Sequence, residues 1–81
     1  FNKNVEIDFC VPSAQLAIQV SYNLNDEATY EREVGGLIKF LKAFPGYHGY
    51  IITRDYQTQI KADGYTIEVV PIWKWLLQDN N

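Results

Sequence analysis

The sequence holds one cysteine, one histidine, three prolines and no methionine in 81 residues. A single thiol closes no internal disulfide, so the chain depends on its apolar residues for stability. Cys10 itself reads as a small, half-buried side chain rather than a reactive group. His48, with no second His and no Cys at ligand spacing, makes no metal site and reads as structural. Ten acidic against seven basic residues give a net charge of −3, and no run of Lys or Arg exceeds one residue. The basic stripe with which a self-sufficient nucleic-acid binder neutralises phosphates is therefore lacking. No apolar run approaches the roughly 18 residues of a membrane span, and the start has no signal-peptide pattern, so a cytoplasmic protein is expected. A phosphate-binding loop of the G-x-x-x-x-G-K type is also absent. The lack of Met, with Phe1 at the start, points to a segment of a longer chain.

What is present is a composition 47% hydrophobic, enough for one domain over residues 1–81. A chain this short buries roughly 60 to 65% of its unfolded surface, so one modest core is expected. Val5, Ile7, Phe9 and Val11 alternate with Glu6, Asp8 and Cys10, the period-2 pattern of a half-buried strand. Pro12 and Ser13 break the run. Leu16, Ala17, Ile18, Gln19 and Val20 then read as a second, more buried strand, and the two make a hairpin. Asp8 is expected inside the first strand, and Gln19 and Ser21, two apart, share one face of the second. Polar side chains in such a place need solvent, partners or a ligand.

Asn25 or Asp26 can cap a helix that runs to about Ala43, where Pro45-Gly46 stops it. Its apolar positions Tyr30, Val34, Leu37, Ile38, Leu41 and Phe44 form one stripe on a 3.6-residue wheel. The adjacent Gly35-Gly36 conflicts with a helix interior, each costing roughly 1 kcal/mol relative to Ala. The simplest compensation is close packing of the helix backbone; a kink or a partner helix is the alternative. Glu31, Arg32 and Glu33 beside it read as a solvated charged face.

Ile51-Ile52-Thr53, entered through Tyr47-His48-Gly49-Tyr50, should be a third strand. A strand, a long helix and a strand make a right-handed crossover, which sets residues 49–53 parallel to Leu16–Val20. Residues 57–61 suit a short edge strand, Asp63-Gly64 a tight turn, and residues 66–70 a strand running the same way as 49–53 if the small hairpin folds back. Pro71 suits the first turn of a closing helix. In that helix Ile72, Trp73, Trp75, Leu76 and Leu77 put apolar surface almost all round. One face must cover the sheet; the other is an apolar patch of the kind that marks an interface.

The segments E-I-D-F, A-I-Q-V-S-Y-N-L, R-E-V-G-G-L-I-K-F-L and I-E-V-V-P-I-W-K-W-L-L together resemble the C-terminal domain of a family of prokaryotic predicted AAA+ ATPases. The opening hairpin is similar to the core of the PD-(D/E)XK nuclease superfamily. The resemblance implies a truncated restriction-endonuclease-like mixed sheet of the α/β class: β-hairpin, long helix, parallel strand, small hairpin, strand and short C-terminal helix. It also implies an N-terminal ATPase domain that binds ATP and packs with this one.

A nuclease of that superfamily uses an Asp and a Glu to hold Mg²⁺ and a Lys to polarise the attacking water. Asp8 matches the first. Gln19 stands where Glu is usual and Ser21 where Lys is usual, so both the second carboxylate and the cation are lost. Glu6 can lend a carboxylate, while Lys3, Lys39 and Lys61 have no spacing that places them there. Three readings stay open. The preferred one is a catalytically degenerate, nuclease-like accessory or interaction domain with no cofactor of its own. Another is an active Mg²⁺-dependent nuclease using Glu6, Asp8 and Gln19. The last is an oligomerisation element pairing through the open edge of residues 5–11 or through the helix bearing Trp73 and Trp75.

Overall fold

The computed structural model describes residues 7–79. Five strands and two helices follow in the order β1 (Phe9–Val11), β2 (Leu16–Val20), α1 (Glu27–Ala43), β3 (His48–Thr53), β4 (Thr58–Ala62), β5 (Tyr65–Pro71) and α2 (Ile72–Asp79). They form one mixed sheet of order β1-β2-β3-β5-β4. β2, β3 and β5 run parallel, with Ile18 opposite Tyr50 and Tyr50 opposite Glu68. The outer strands β1 and β4 are antiparallel to their neighbours. The α/β class, the parallel crossover and the direction of the last strand are as the sequence indicates. No helix among the described residues is long and apolar enough to cross a membrane.

α1 begins where Asp26 caps it. The Asp26 carboxylate accepts from the Thr29 amide at 2.9 Å and from the Thr29 hydroxyl at 2.8 Å. The amide bond first, then the hydroxyl, hold this carboxyl below its ordinary range. The helix ends as the Phe44 amide bonds back to the Phe40 carbonyl, with Gly46 just beyond at φ 99°. Val34, Leu37, Ile38 and Leu41 are buried as the stripe requires, while Tyr30 is largely open. Phe40, which the stripe omits, is fully buried, its ring 4.6 Å from Phe44 and 5.1 Å from Tyr47. These side chains meet Ala17, Ile51, Ile60, Ile67 and Val69 from one face of the sheet.

A close approach of helix to sheet lies at Gly49. A Cβ at Gly49 would stand 3.2 Å from Leu41 Cδ1 and 3.5 Å from Ile67 Cγ1. Gly35, by contrast, is exposed, and a Cβ there would meet nothing within 4 Å. The expectation of tight packing at Gly35 is thus corrected. Asp63 (φ 54°) and Gly64 (φ 82°) form the expected two-residue turn between Ala62 and Tyr65.

Three further expectations change. The first strand, expected over residues 5–11, pairs only over Phe9–Val11, and Val5 and Glu6 lie outside the described residues. Asp8 sits in a bend ahead of the strand, which shifts the phase of the alternation. Ile7 is buried against the α1 core, Cys10 packs on that same core, and Phe9 turns to the other face, 59% exposed. Pro71, expected in the first turn of the last helix, instead ends β5 opposite Thr53. It sits past the start of β4, whose first residue Thr58 pairs with Val69. Residues 54–57 are held by Thr53, whose hydroxyl donates to the Tyr56 carbonyl at 2.6 Å and accepts from its amide at 3.1 Å.

The two glycines should answer an added methyl with opposite signs. Gly35→Ala is expected to raise stability by about 0.5–1 kcal/mol, because helix propensity improves and nothing is displaced. Gly49→Ala is expected to lower it by about 1 kcal/mol, because Leu41 must move within a packed core. Urea unfolding of both variants measures the difference.

Candidate functional site

Among the described residues the buried polar side chains are Gln19, Ser21 and Thr53. All three belong to the carboxyl ends of neighbouring parallel strands. The Ser21 amide donates to the Ile52 carbonyl at 2.9 Å, which carries the β2–β3 ladder one residue further and sets Ser21 alongside Thr53. Crevices of α/β sheets open at this end of the strands, so the position suits a site.

Asp8 and Gln19 are brought together, as their places in the hairpin suggest, but they face main chain. The Asp8 amide donates to Gln19 Oε1 at 2.9 Å, and the Val20 amide donates to Asp8 Oδ2 at 2.8 Å. These two bonds replace the next rung of the antiparallel ladder beyond the Phe9–Ile18 pair. They form a clasp in which each side chain satisfies the other strand's backbone. This is also why the strand bends at Asp8 and the alternation changes phase there.

Glu33 is the residue the sequence reading misplaced. Its side chain is only 16% exposed, so it is not part of a solvated face, unlike Glu31 and Arg32. Burial, and then the charge of Asp8, push its carboxyl above the ordinary value, and the Arg32 guanidinium, 3.6 Å from Glu33 Oε2, opposes them. Glu33 lies one turn before Leu37 and two before Phe40, so the helical period turns it inward with them. That spacing was a usable signal; the flanking charges hid it.

No lysine joins the group among the described residues. Lys61 stands opposite Thr66 on β4, on the sheet face away from Gln19, and β4 is three strand steps from β2, roughly 14 Å. Lys39 is on the flank of α1 that lines an open groove of about 450 Å³ with Gly35, Ala62 and Asp63. Lys3, like Glu6, lies outside the described residues. His48 is exposed at the start of β3, and Cys10, half-buried, donates to Tyr47 Oη at 3.8 Å.

A nuclease-type Mg²⁺ site calls for carboxylate oxygens free to ligate, with water completing an octahedron. Here Asp8 Oδ2 and Gln19 Oε1 already accept main-chain amides. Among the described residues no three His, Cys, Asp or Glu side chains are grouped so as to hold a metal. Glu6, the other carboxylate expected at these positions, lies outside the described residues.

The clasp gives Asp8 and Gln19 a part in stability. Asp8→Ala and Gln19→Ala should each lower stability by about 1 kcal/mol. The double variant should lose less than the sum, since both act on one junction; a cycle of urea denaturation curves measures it. Glu33 adds a pH dependence. A carboxyl whose pKa is higher folded than unfolded weakens the fold as pH rises from the ordinary value of 4.5 through the raised one. Glu33→Gln should therefore stabilise the domain at neutral pH and lose that advantage once the pH falls below that ordinary value, as thermal melts across pH would show.

Searches against family models, curated proteins and solved structures each return no match.

Proposed function

We propose that the chain is a catalytically degenerate, nuclease-like domain that serves as an interaction module of an ATP-binding protein. The observation that carries the catalytic silence is the clasp: of the two side chains at nuclease positions, Gln19 accepts from the Asp8 amide and Asp8 accepts from the Val20 amide. Ser21, at the position where the superfamily has Lys, supplies no cation. The element order, with a hairpin, a long helix and a parallel strand, agrees with a truncated restriction-endonuclease-like sheet. The ATPase parent, its bound ATP and its place as the packing partner rest on the sequence resemblance alone. The net charge of −3 argues against nucleic acid as the ligand of the domain by itself.

A second reading, an active metal-dependent nuclease, is favoured by one observation, the nearness of Glu33 to Asp8. In it Glu33 supplies the second carboxylate that the sequence reading sought in Glu6. Incubation of the chain with single- and double-stranded DNA and Mg²⁺ or Mn²⁺ separates the two. No cleavage, and no heat on calorimetric titration with Mn²⁺, is the expected result. Cleavage that disappears in both Asp8→Ala and Glu33→Gln would establish the enzyme and overturn the degenerate reading.

A further inference from the structure

The side of the sheet away from α1 is stepped. α2 lies over β3 and β5, with Trp75 against Tyr50 at 5.1 Å and Ile18, Ile52 and Val70 in the cluster around them. Towards β4 this face is polar: Gln59 Nε2 donates to Glu68 Oε2 at 2.7 Å, and Lys61 stands beside them. Towards β1 and β2 it is apolar and bare, with Phe9 59% and Val20 37% exposed. The outward side of α2 is apolar as well: Trp73 is 55% and Leu77 62% exposed, with Ile72 and Leu76 open beside them. A helical ridge thus stands next to a shallow trough in which Phe9 and Val20 are open and Ile18 is already buried in the cluster with Trp75, and both are apolar.

We propose that this stepped face is the contact surface of a two-fold dimer of the chain, the α2 of each copy lying in the β1–β2 trough of the other. This names a partner for the interaction role proposed above and rests on that reading. A step is complementary to itself under two-fold rotation, which is the requirement of an isologous contact. The helix placed in the trough gives β2, a parallel strand, the cover on its second face that parallel strands ordinarily have. The side chains named on the two surfaces carry no charge, so no ion pair has to be broken or matched to bring the copies together.

The size fits. Phe9, Val20, Ile72, Trp73, Leu76 and Leu77 leave on the order of 600 Å² open, near the roughly 800 Å² per partner of a standard interface. It is also at the top of the range for patches that monomers leave exposed. Trp73, aromatic and central to the ridge, is the anchor that such interfaces concentrate their energy in.

Analytical ultracentrifugation of the 81-residue chain over a wide concentration range tests this. A reversible dimer is expected. Trp73→Lys on the ridge and Phe9→Glu in the trough should each weaken it at least about 30-fold. Both positions are more than half exposed, so circular dichroism and melting should show the fold retained. An equimolar mixture of the two variants should regain a heterodimer, because Lys of one ridge then meets Glu of the other trough. A chain monomeric at every concentration would overturn the proposal and point to a foreign partner. So would a dimer indifferent to both substitutions, or one that responds to Trp73→Lys alone, which would mean ridge on ridge. Nuclease activity would sink the degenerate reading and leave the dimer standing; a monomer would do the reverse.

Discussion

The contact on which the domain depends is the seat of α1 on the parallel pair β2 and β3. Gly49 removes a side chain where Leu37 and Leu41 come down on the sheet, and the helix settles close enough for Phe40, Ile51 and Ile67 to be sealed from water. Each such side chain contributes roughly 1.5–3 kcal/mol by burial, so this layer carries most of what holds a chain of this size together. The same seat fixes function-related geometry. The parallel crossover through α1 brings the start of the helix back towards the carboxyl end of β2. It thereby covers Gln19 and Ser21 and turns Glu33 towards Asp8.

The other face has no equivalent layer. α2 is eight residues long, and it lies mainly over β3 and β5, leaving Phe9 of β1 and Val20 of β2 open while Ile18 is buried. Parallel strands are ordinarily covered on both faces because their side chains are apolar on both, and β2 follows that composition. The open end of its outer side, at Val20, is therefore a property of the sequence of the strand. The step, the apolar ridge and the polar β4 flank have one origin: a single short helix divides a face that is greasy at one end and hydrophilic at the other.

How much of this was legible in the sequence differs from element to element for physical reasons. α1 could be delimited because its ends are written locally, Asp26 as a cap and Pro45-Gly46 as a stop. The Asp63-Gly64 turn was equally local, since two adjacent positive φ angles demand such residues. The parallel pairing followed from chirality and connection length. β1 was misjudged because its phase depends on side-chain bonds to β2, which no period along β1 can reveal. Glu33 was taken for surface because its neighbours are charged, although its spacing to Leu37 and Phe40 belongs to the core. Gly35 and Gly49 were confused for a related reason: a costly glycine in a helix draws notice, whereas the glycine that matters for packing sits in a strand, where only the fold shows what lies above it.

The clasp bears on what the polar group at the carboxyl ends of β2 and β3 can do. A buried amide oxygen costs free energy unless it is bonded, and the bond can come from a ligand or from the chain itself. Gln19 takes its bond from the Asp8 amide, and Asp8 in turn accepts from Val20, so these acceptors are satisfied with nothing added. A site held ready for a cation keeps oxygens that only the cation completes. Here the two side chains stitch two strands, and the half-buried carboxyl of Glu33 is pushed above its ordinary value by burial and then by the charge of Asp8. The hydrogen bonds of the hairpin therefore give Asp8 and Gln19 a structural role, joining β1 to β2 through main-chain amides.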